Sequence, residues 1–143
     1  MIKVKRVEPV LIAVKEIDKA TAFFRDVLGA RFRPKFEEED HMLAPFTLGE
    51  TYLELAEPLI PDGPIDKFIK RKGEGVYCLS IQVDDLDSTI TELESLGIHV
   101  PYRQVLEKPL QTMPGTTWKK VAATDPKDTF GVLLYLGETV DEK

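Results

Sequence analysis

Apolar positions along this chain change their spacing at regular intervals, and each change marks a predicted element. Residues 7–14 form a mostly apolar run that is typical of a strand. Residues 17–28 then place apolar side chains at helical spacing, and Gly29 supplies a C-terminal stop. Three short strands separated by turn residues are predicted next, at 30–36, 40–48 and 51–56.

A second series of the same elements follows a proline-rich connector at 57–75, in which 65–70 is predicted as a short helix. Residues 76–83 predict a strand, and 86–96 an amphipathic helix that Gly97 ends. The rest of the chain predicts strands at 99–103, 118–124 and 131–136. Between the first two of these, 104–115 is predicted as a long loop able to close over a pocket.

The two series are an internal repeat. Ile12–Asp18 aligns with Ile81–Asp87, and the helix in each copy ends in Leu-Gly. A repeat constrains a fold more firmly than local propensity does, although two unrelated strand–helix units are the alternative interpretation. The sequence therefore predicts an α+β fold with two tandem βαβββ modules, 7–56 and 76–138, within a single domain over 1–143.

Composition excludes several kinds of protein. The formal net charge of −6 disfavours non-specific nucleic-acid binding, which relies on cations to neutralise phosphates. Cys78 is the single cysteine, so no internal disulfide is expected. No apolar stretch has the length of a membrane span, and residues 1–14 lack a secretory leader pattern. We expect a cytoplasmic protein without membrane or nucleic-acid partners.

Four sets of stretches are similar to those of a known family. They are Ile12–Val14 with Asp26–Gly29, Leu53–Leu59, Ile65–Gly75 with Val83–Asp85, and Lys119–Ala122 with Asp125–Lys127 and Gly131–Leu134. In these stretches the chain resembles the methylmalonyl-CoA epimerase branch of the vicinal oxygen chelate (glyoxalase-like) superfamily, and the resemblance covers almost the whole chain. It implies that the two modules form a curved, cup-shaped mixed sheet. It also implies a homodimer and a small-molecule ligand such as an acyl-CoA.

The resemblance also implies a divalent metal ion held in the cup by four side chains. Carried onto this chain, those four positions are Pro9, Glu54, Cys78 and Tyr135. Proline offers no ligand atom, and a thiol and a phenol do not suit the hard ions expected there. We therefore predict no metal and no other cofactor.

Glu54 is the candidate for proton transfer. A carboxyl group buried without a metal ion should have a raised pKa, which suits a general acid or base. Tyr135 is the candidate hydrogen-bond donor to a carbonyl or developing oxyanion, unless it forms a purely structural pair with Glu54. His41 is a further candidate base, although an exposed hairpin after the acidic run 37–40 explains it somewhat better.

Other side chains are predicted to contact the ligand. Cys78 is one of them, and we interpret it as a small buried residue rather than a nucleophile, because no cation stands near it in sequence. A basic cluster at 67–72 suits an anionic ligand, and a solvated helix end explains it equally well. The full set of predicted contacts is Cys78, Tyr77, Tyr52, Leu11, Trp118 and Met113.

Three functions remain open from the sequence. The first is a metal-independent isomerase, epimerase or lyase that acts on an acyl-CoA or related small carbonyl compound. The second is a metal-free small-molecule binding protein of the drug-sequestering kind. The third is a divalent-metal epimerase or glyoxalase with a rearranged site.

Overall fold

The computed structural model of the chain describes residues 1–142, so Lys143, the last residue of the predicted domain, lies outside them. The predicted order of strand, helix and strands is present in both halves, which confirms the α+β class. The elements are β1 (Val4–Ala13), α1 (Ile17–Asp26), β2 (Arg31–Phe32), β3 (Phe36–Glu38), β4 (His41–Leu48), β5 (Thr51–Pro58), α2 (Pro64–Lys72), β6 (Gly75–Val83), α3 (Leu86–Ser95), β7 (Tyr102–Met113), β8 (Thr116–Ala123) and β9 (Leu134–Asp141).

The prediction of a long loop at 104–115 is wrong. β7 occupies this segment and pairs antiparallel with β8, from Tyr102 opposite Ala123 to Met113 opposite Thr116. Its ladder shifts register on both sides of Leu110, and such irregularities accommodate a proline such as Pro109 that lacks an N–H. The segment therefore combines the polar, proline-containing composition of a loop with strand geometry.

The last strand also starts later than predicted, at Leu134 instead of residue 131. Phe130 and Gly131 both have positive φ, at 59° and 82°, and extended strand geometry requires negative φ. The turn before β9 therefore extends three residues further into the apolar run.

Residues 9–77 form one compact unit. In it, the part of β1 from Pro9 onward pairs parallel with β5, while β4 pairs antiparallel with β5 on one side and with β2 and β3 on the other. One sheet face packs beneath α1, where Phe46 is stacked with Phe32 at 4.5 Å between ring centroids. The buried residues of this cluster are Val14, Ile17, Ala30, Ala44, Phe46 and Leu55.

The second compact unit contains residues 1–8 and the described chain from 78 onward. Its strands run in the order β6-β9-β8-β7, with β6 and β9 parallel and the other neighbours antiparallel. Asp85 caps the N-terminus of α3, because its carboxylate accepts a hydrogen bond from the Ser88 amide at 3.0 Å. Its apolar face packs into a buried cluster of Val83, Leu86, Ile90, Leu93, Val100, Ala122 and Leu136.

The buried amide of Gln82 ties the first eight residues to this unit. Its Nε2 donates to the carbonyl of Glu8 at 2.8 Å, and its Oε1 accepts from the Arg6 guanidinium at 2.7 Å. Arg6 also forms a two-bond ion pair with Asp141, at 3.0 and 2.9 Å, which holds the pKa of Asp141 well below its usual range. Residues far apart in sequence thus share one hydrogen-bonded polar cluster.

Gly137 leaves room for the indole ring of Trp118. A Cβ placed at Gly137 would lie 1.9 Å from Cζ3 and 2.2 Å from Cε3 of that ring. We expect Gly137→Ala to lower the free energy of unfolding by about 1–3 kcal/mol, because the ring must move within a packed interior. Urea denaturation of both proteins measures this difference.

A double-mutant cycle tests the cause of that loss. In a Trp118→Leu background the clashing ring atoms are absent, so Gly137→Ala should cost much less stability there. An equal cost in both backgrounds would show that Trp118 is not what Gly137 accommodates.

None of the three helices within residues 1–142 has the length and apolar character needed to cross a membrane.

Candidate active site

Glu54 lies on the sheet face of the 9–77 unit that faces away from α1. Alternate residues of a strand point to opposite faces, so the burial of Leu55 beneath α1 places Glu54 on the other side. The register aligns Glu54 with Leu11 of β1 and with Pro45 of β4. The carboxyl group therefore sits between two apolar neighbours on adjacent strands.

The Glu54 side chain is almost completely buried and hydrogen-bonded. The residue is 7% exposed, and its Oε2 accepts a hydrogen bond from the Tyr52 hydroxyl. Burial raises the pKa of Glu54 to about 7, the Tyr52 hydrogen bond opposes that rise, and the negative charge of Glu38 adds to it. At neutral pH both protonation states are populated, which is the condition for giving and taking protons.

Tyr52 is a hydrogen-bond partner of Glu54 that the sequence interpretation does not include, because it predicts Tyr52 as a ligand contact. The structural pair of Glu54 with Tyr135 stays a prediction, since the two residues belong to different compact units. Tyr52 stands two residues from Glu54 on β5, and such residues share a face of the strand. The alternation was therefore the signal that identifies this pair.

His41 lies on the same sheet face as Glu54 but at another position along it. It pairs with Pro58 of β5, whereas Glu54 pairs with Pro45, four residues further along β4. At about 3.3 Å per strand residue, the two positions are separated by about 13 Å along the ladder. The imidazole Nδ1 lies 3.0 Å from the Asp40 carboxylate, which orients the ring.

Two of the predicted ligand contacts also belong to the 9–77 unit. Leu11 is buried beside Glu54. Tyr77 is half-buried and meets Phe68 of α2 edge to face, with 5.2 Å between the ring centroids. Leu11 therefore stands next to the carboxyl group, while Tyr77 contacts the α2 helix.

The other predicted site residues belong to the second unit. Cys78 is a buried thiol, and the register puts Tyr135 beside Ser80 on the face that Cys78 shares. Tyr135 is half-buried, with its ring centroid 6.3 Å from that of Trp118. Met113 stands further away, at the β7–β8 turn opposite Thr116. The second unit thus groups Cys78, Tyr135 and Trp118, while Met113 marks the end of a hairpin.

The donor atoms at the four family metal positions do not fit a hard divalent ion. Pro9 is a buried strand residue whose side chain has no ligand atom, and the Glu54 carboxyl is engaged by Tyr52. Cys78 and Tyr135 supply a thiol and a phenol, where carboxylate or imidazole would suit such an ion. Within residues 1–142, no group of three or more His, Cys, Asp or Glu side chains is arranged to hold a metal.

The comparisons with known proteins agree with the fold. Residues 10–108 match the family described as the Glyoxalase/Bleomycin resistance protein/Dioxygenase superfamily. Mouse mitochondrial methylmalonyl-CoA epimerase is 33% identical over 137 residues, a match that covers 94% of this chain and 73% of the mouse protein.

Solved structures extend the similarity. The methylmalonyl-CoA epimerase of Mycobacterium tuberculosis superimposes with a TM-score of 0.77 at 26% identity, covering 94% of this chain and 87% of that one. A variant of the Streptomyces coelicolor methylmalonyl-CoA epimerase, in complex with 2-nitronate-propionyl-CoA, gives 0.76 at 25% identity, covering 94% and 97%. This chain therefore belongs to the glyoxalase/bleomycin resistance/dioxygenase superfamily, in the family that includes the methylmalonyl-CoA epimerases.

Proposed function

We propose that this chain is an acyl-CoA epimerase, or a related isomerase or lyase, that moves the proton α to a thioester or similar carbonyl group. Membership of the family supports the reaction class. The complex of a relative with 2-nitronate-propionyl-CoA supports the class of ligand. The carboxyl group of Glu54, buried and able to exchange a proton near neutral pH, is the observation on which the proposal rests.

Glu54 acts in this proposal as a carboxylate base. It takes the α-proton while the electron pair of the C–H bond moves into the carbonyl, and the protonated carboxyl then returns a proton to the same carbon. Tyr52 holds the carboxyl in one orientation, because its hydroxyl donates to Oε2. Inversion also needs a proton delivered to the opposite face of the carbon. His41, our sequence candidate for a further base, lies about 13 Å from Glu54 along the ladder, too far for both to act on one carbon, so the proposed exchange rests on Glu54.

We propose that this proton transfer does not require a metal ion. The donor set at Pro9, Cys78 and Tyr135 supports this, because it offers too few ligands of the kind that hard ions bind. Tyr135 as a hydrogen-bond donor to the substrate, the homodimer and the cytoplasmic location stay predictions.

The test is isotope exchange in heavy water. The chain, purified in the presence of a chelator, is incubated with methylmalonyl-CoA in D₂O, and mass spectrometry follows deuterium at the α-carbon. We expect enzyme-dependent incorporation with the chelator present, and no large gain when Co²⁺ or Mn²⁺ replaces the chelator. Incorporation that appears only with added metal would overturn the metal-independent mechanism.

A metal-free binding protein is the second candidate function. The Tyr52–Glu54 pair favours it, because a carboxyl that is already hydrogen-bonded can be purely structural. Tight binding of the acyl-CoA without any deuterium incorporation, with or without metal, would support this candidate over the enzyme.

A further inference from the structure

The α2 helix carries a group of exposed cations on an otherwise acidic chain. Among its four basic residues, Lys70 is neutralised by Asp66 at 2.8 Å and by Asp62 at 3.3 Å. The side chains of Lys67, Arg71 and Lys72 are exposed and make no ion pair or hydrogen bond with other described residues. The helix therefore presents three uncompensated positive charges.

Two of these charges share the outward face of α2. Ile65 and Ile69 are buried and define the inward face. At 100° per residue, Lys67 and Arg71 lie close together on the opposite side, one turn apart and about 6 Å along the helix axis. Their side chains are thus free to converge on a ligand that approaches from solvent.

The spacing of Lys67 and Arg71 is unfavourable for the helix alone. Like charges at positions i and i+4 destabilise a helix by about 0.2–0.5 kcal/mol. The helix dipole favours cations in the last turn, which explains Arg71 and Lys72, but Lys67 lies a full turn earlier. A bound anion would remove the repulsion between Lys67 and Arg71.

The chain has a net charge of −6, so a local basic group is needed to draw an anion to its surface. CoA carries a diphosphate and a ribose 3′-phosphate on a long flexible arm. Guanidinium and ammonium groups bind such phosphates through charge-assisted hydrogen bonds. α2 packs against β5, the strand that holds Glu54. The cations of α2 and the Glu54 carboxyl therefore belong to the same compact unit.

We propose that Lys67 and Arg71, assisted by Lys72, bind the phosphate groups of the CoA part of the substrate. This inference rests on the acyl-CoA class proposed above. It adds a recognition site for the part of the molecule that does not react.

Calorimetric titration of the full chain with free CoA tests the site, and matched variants provide the comparison. Lys67→Gln/Arg71→Gln removes the two uncompensated charges, and we expect its Kd for CoA to rise about tenfold or more, as loss of charge-assisted contacts predicts. Lys70→Gln removes a cation that is already neutralised on the same helix, and we expect its Kd to stay within about twofold. Circular dichroism confirms that both variants are folded.

Titrations with pantetheine, dephospho-CoA and inorganic pyrophosphate show which part of CoA the site binds. Pantetheine lacks the phosphates, so the double variant and the wild type should bind it equally, and more weakly than the wild type binds CoA. Dephospho-CoA should bind with intermediate strength. If inorganic pyrophosphate bound the wild type as tightly as CoA does, the site would be a general anion site and the proposal would be overturned.

CoA binding at α2 and proton transfer by Glu54 can each fail without the other. An unchanged Kd for CoA in the double variant, or an equal loss in Lys70→Gln, would overturn the α2 site even if the wild type exchanges deuterium. Free CoA has no acyl group, so the titration does not depend on catalysis. CoA binding that depends on Lys67 and Arg71 would therefore support the site even if no isotope exchange occurred.

Discussion

Replacing Glu54 by glutamine is expected to slow deuterium exchange at the substrate α-carbon by about 10²–10⁴-fold, the usual contribution of a positioned general acid or base. The amide has nearly the same size and still accepts a hydrogen bond from Tyr52, but it cannot take up the α-proton. Substrate binding should therefore change little. Mass-spectrometric exchange rates and calorimetric Kd values, measured for both proteins, provide the comparison.

Tyr52→Phe is the matched control for this variant. It keeps the carboxyl group and removes the hydrogen bond that lowers the pKa of Glu54, so that pKa should rise above about 7. The ionised base then forms at higher pH, and the rising part of the exchange profile should move upward in pH while substantial activity remains. Exchange by Glu54→Gln at the wild-type rate would exclude Glu54 as the base.

The same glutamine substitution is expected to remove a large pH dependence of stability. The pKa of Glu54 rises from an ordinary value of 4.5 to about 7 on folding. Between these pH values the folded chain holds a proton that the unfolded chain has lost, so the free energy of unfolding falls as pH rises. The total loss is about 3 kcal/mol, at about 1.4 kcal/mol per pKa unit, and it is complete above pH 7.

Urea denaturation at pH 5 and pH 8.5 measures this effect. From pH 5 to pH 8.5 the free energy of unfolding should fall in the wild type and not in Glu54→Gln through this group, because glutamine does not ionise. Glu50→Gln removes an exposed carboxyl from the β4–β5 turn and should keep the wild-type pH dependence. Parallel pH profiles for wild type and Glu54→Gln would contradict the buried, neutral carboxyl.

These two predictions describe opposite effects of one residue. A carboxyl with a near-neutral pKa in an apolar setting is useful for proton transfer and costly for the folded state above neutral pH. If Glu54 serves proton transfer, Glu54→Gln should be inactive and yet more stable than the wild type at pH 8.5.

The regular elements could be predicted because they depend on local spacing. The repeat of Ile12–Asp18 in Ile81–Asp87 identified both strand–helix units, and period-two alternation put Glu54 on one face of its strand. β7 could not be predicted in the same way. Pro109 lies where the β7–β8 ladder shifts register, on a strand at the sheet edge, and neither the edge position nor the shift can be read from local sequence pattern.

The sequence predicts Glu54 as the central residue of the candidate site, but it does not predict the hydrogen bond and the charge that surround Glu54. Strand alternation places Glu54 on one face of β5, but the hydrogen bond that it accepts from Tyr52 depends on side-chain conformations. The influence of Glu38 depends on how β3 pairs with β4, a long-range choice that local pattern does not encode. The pKa of Glu54 therefore depends on residues such as Glu38 that only the tertiary structure brings near it.

The bond from Gln82 to Glu8 joins two segments that a ribosome makes at different times. Residues 9–77, which form the other compact unit, separate Glu8 from Gln82 along the chain. Glu8 is therefore synthesised more than seventy residues before its partner. Until Gln82 and its neighbours have been made, residues 1–8 lack these contacts and are exposed to chaperones and proteases.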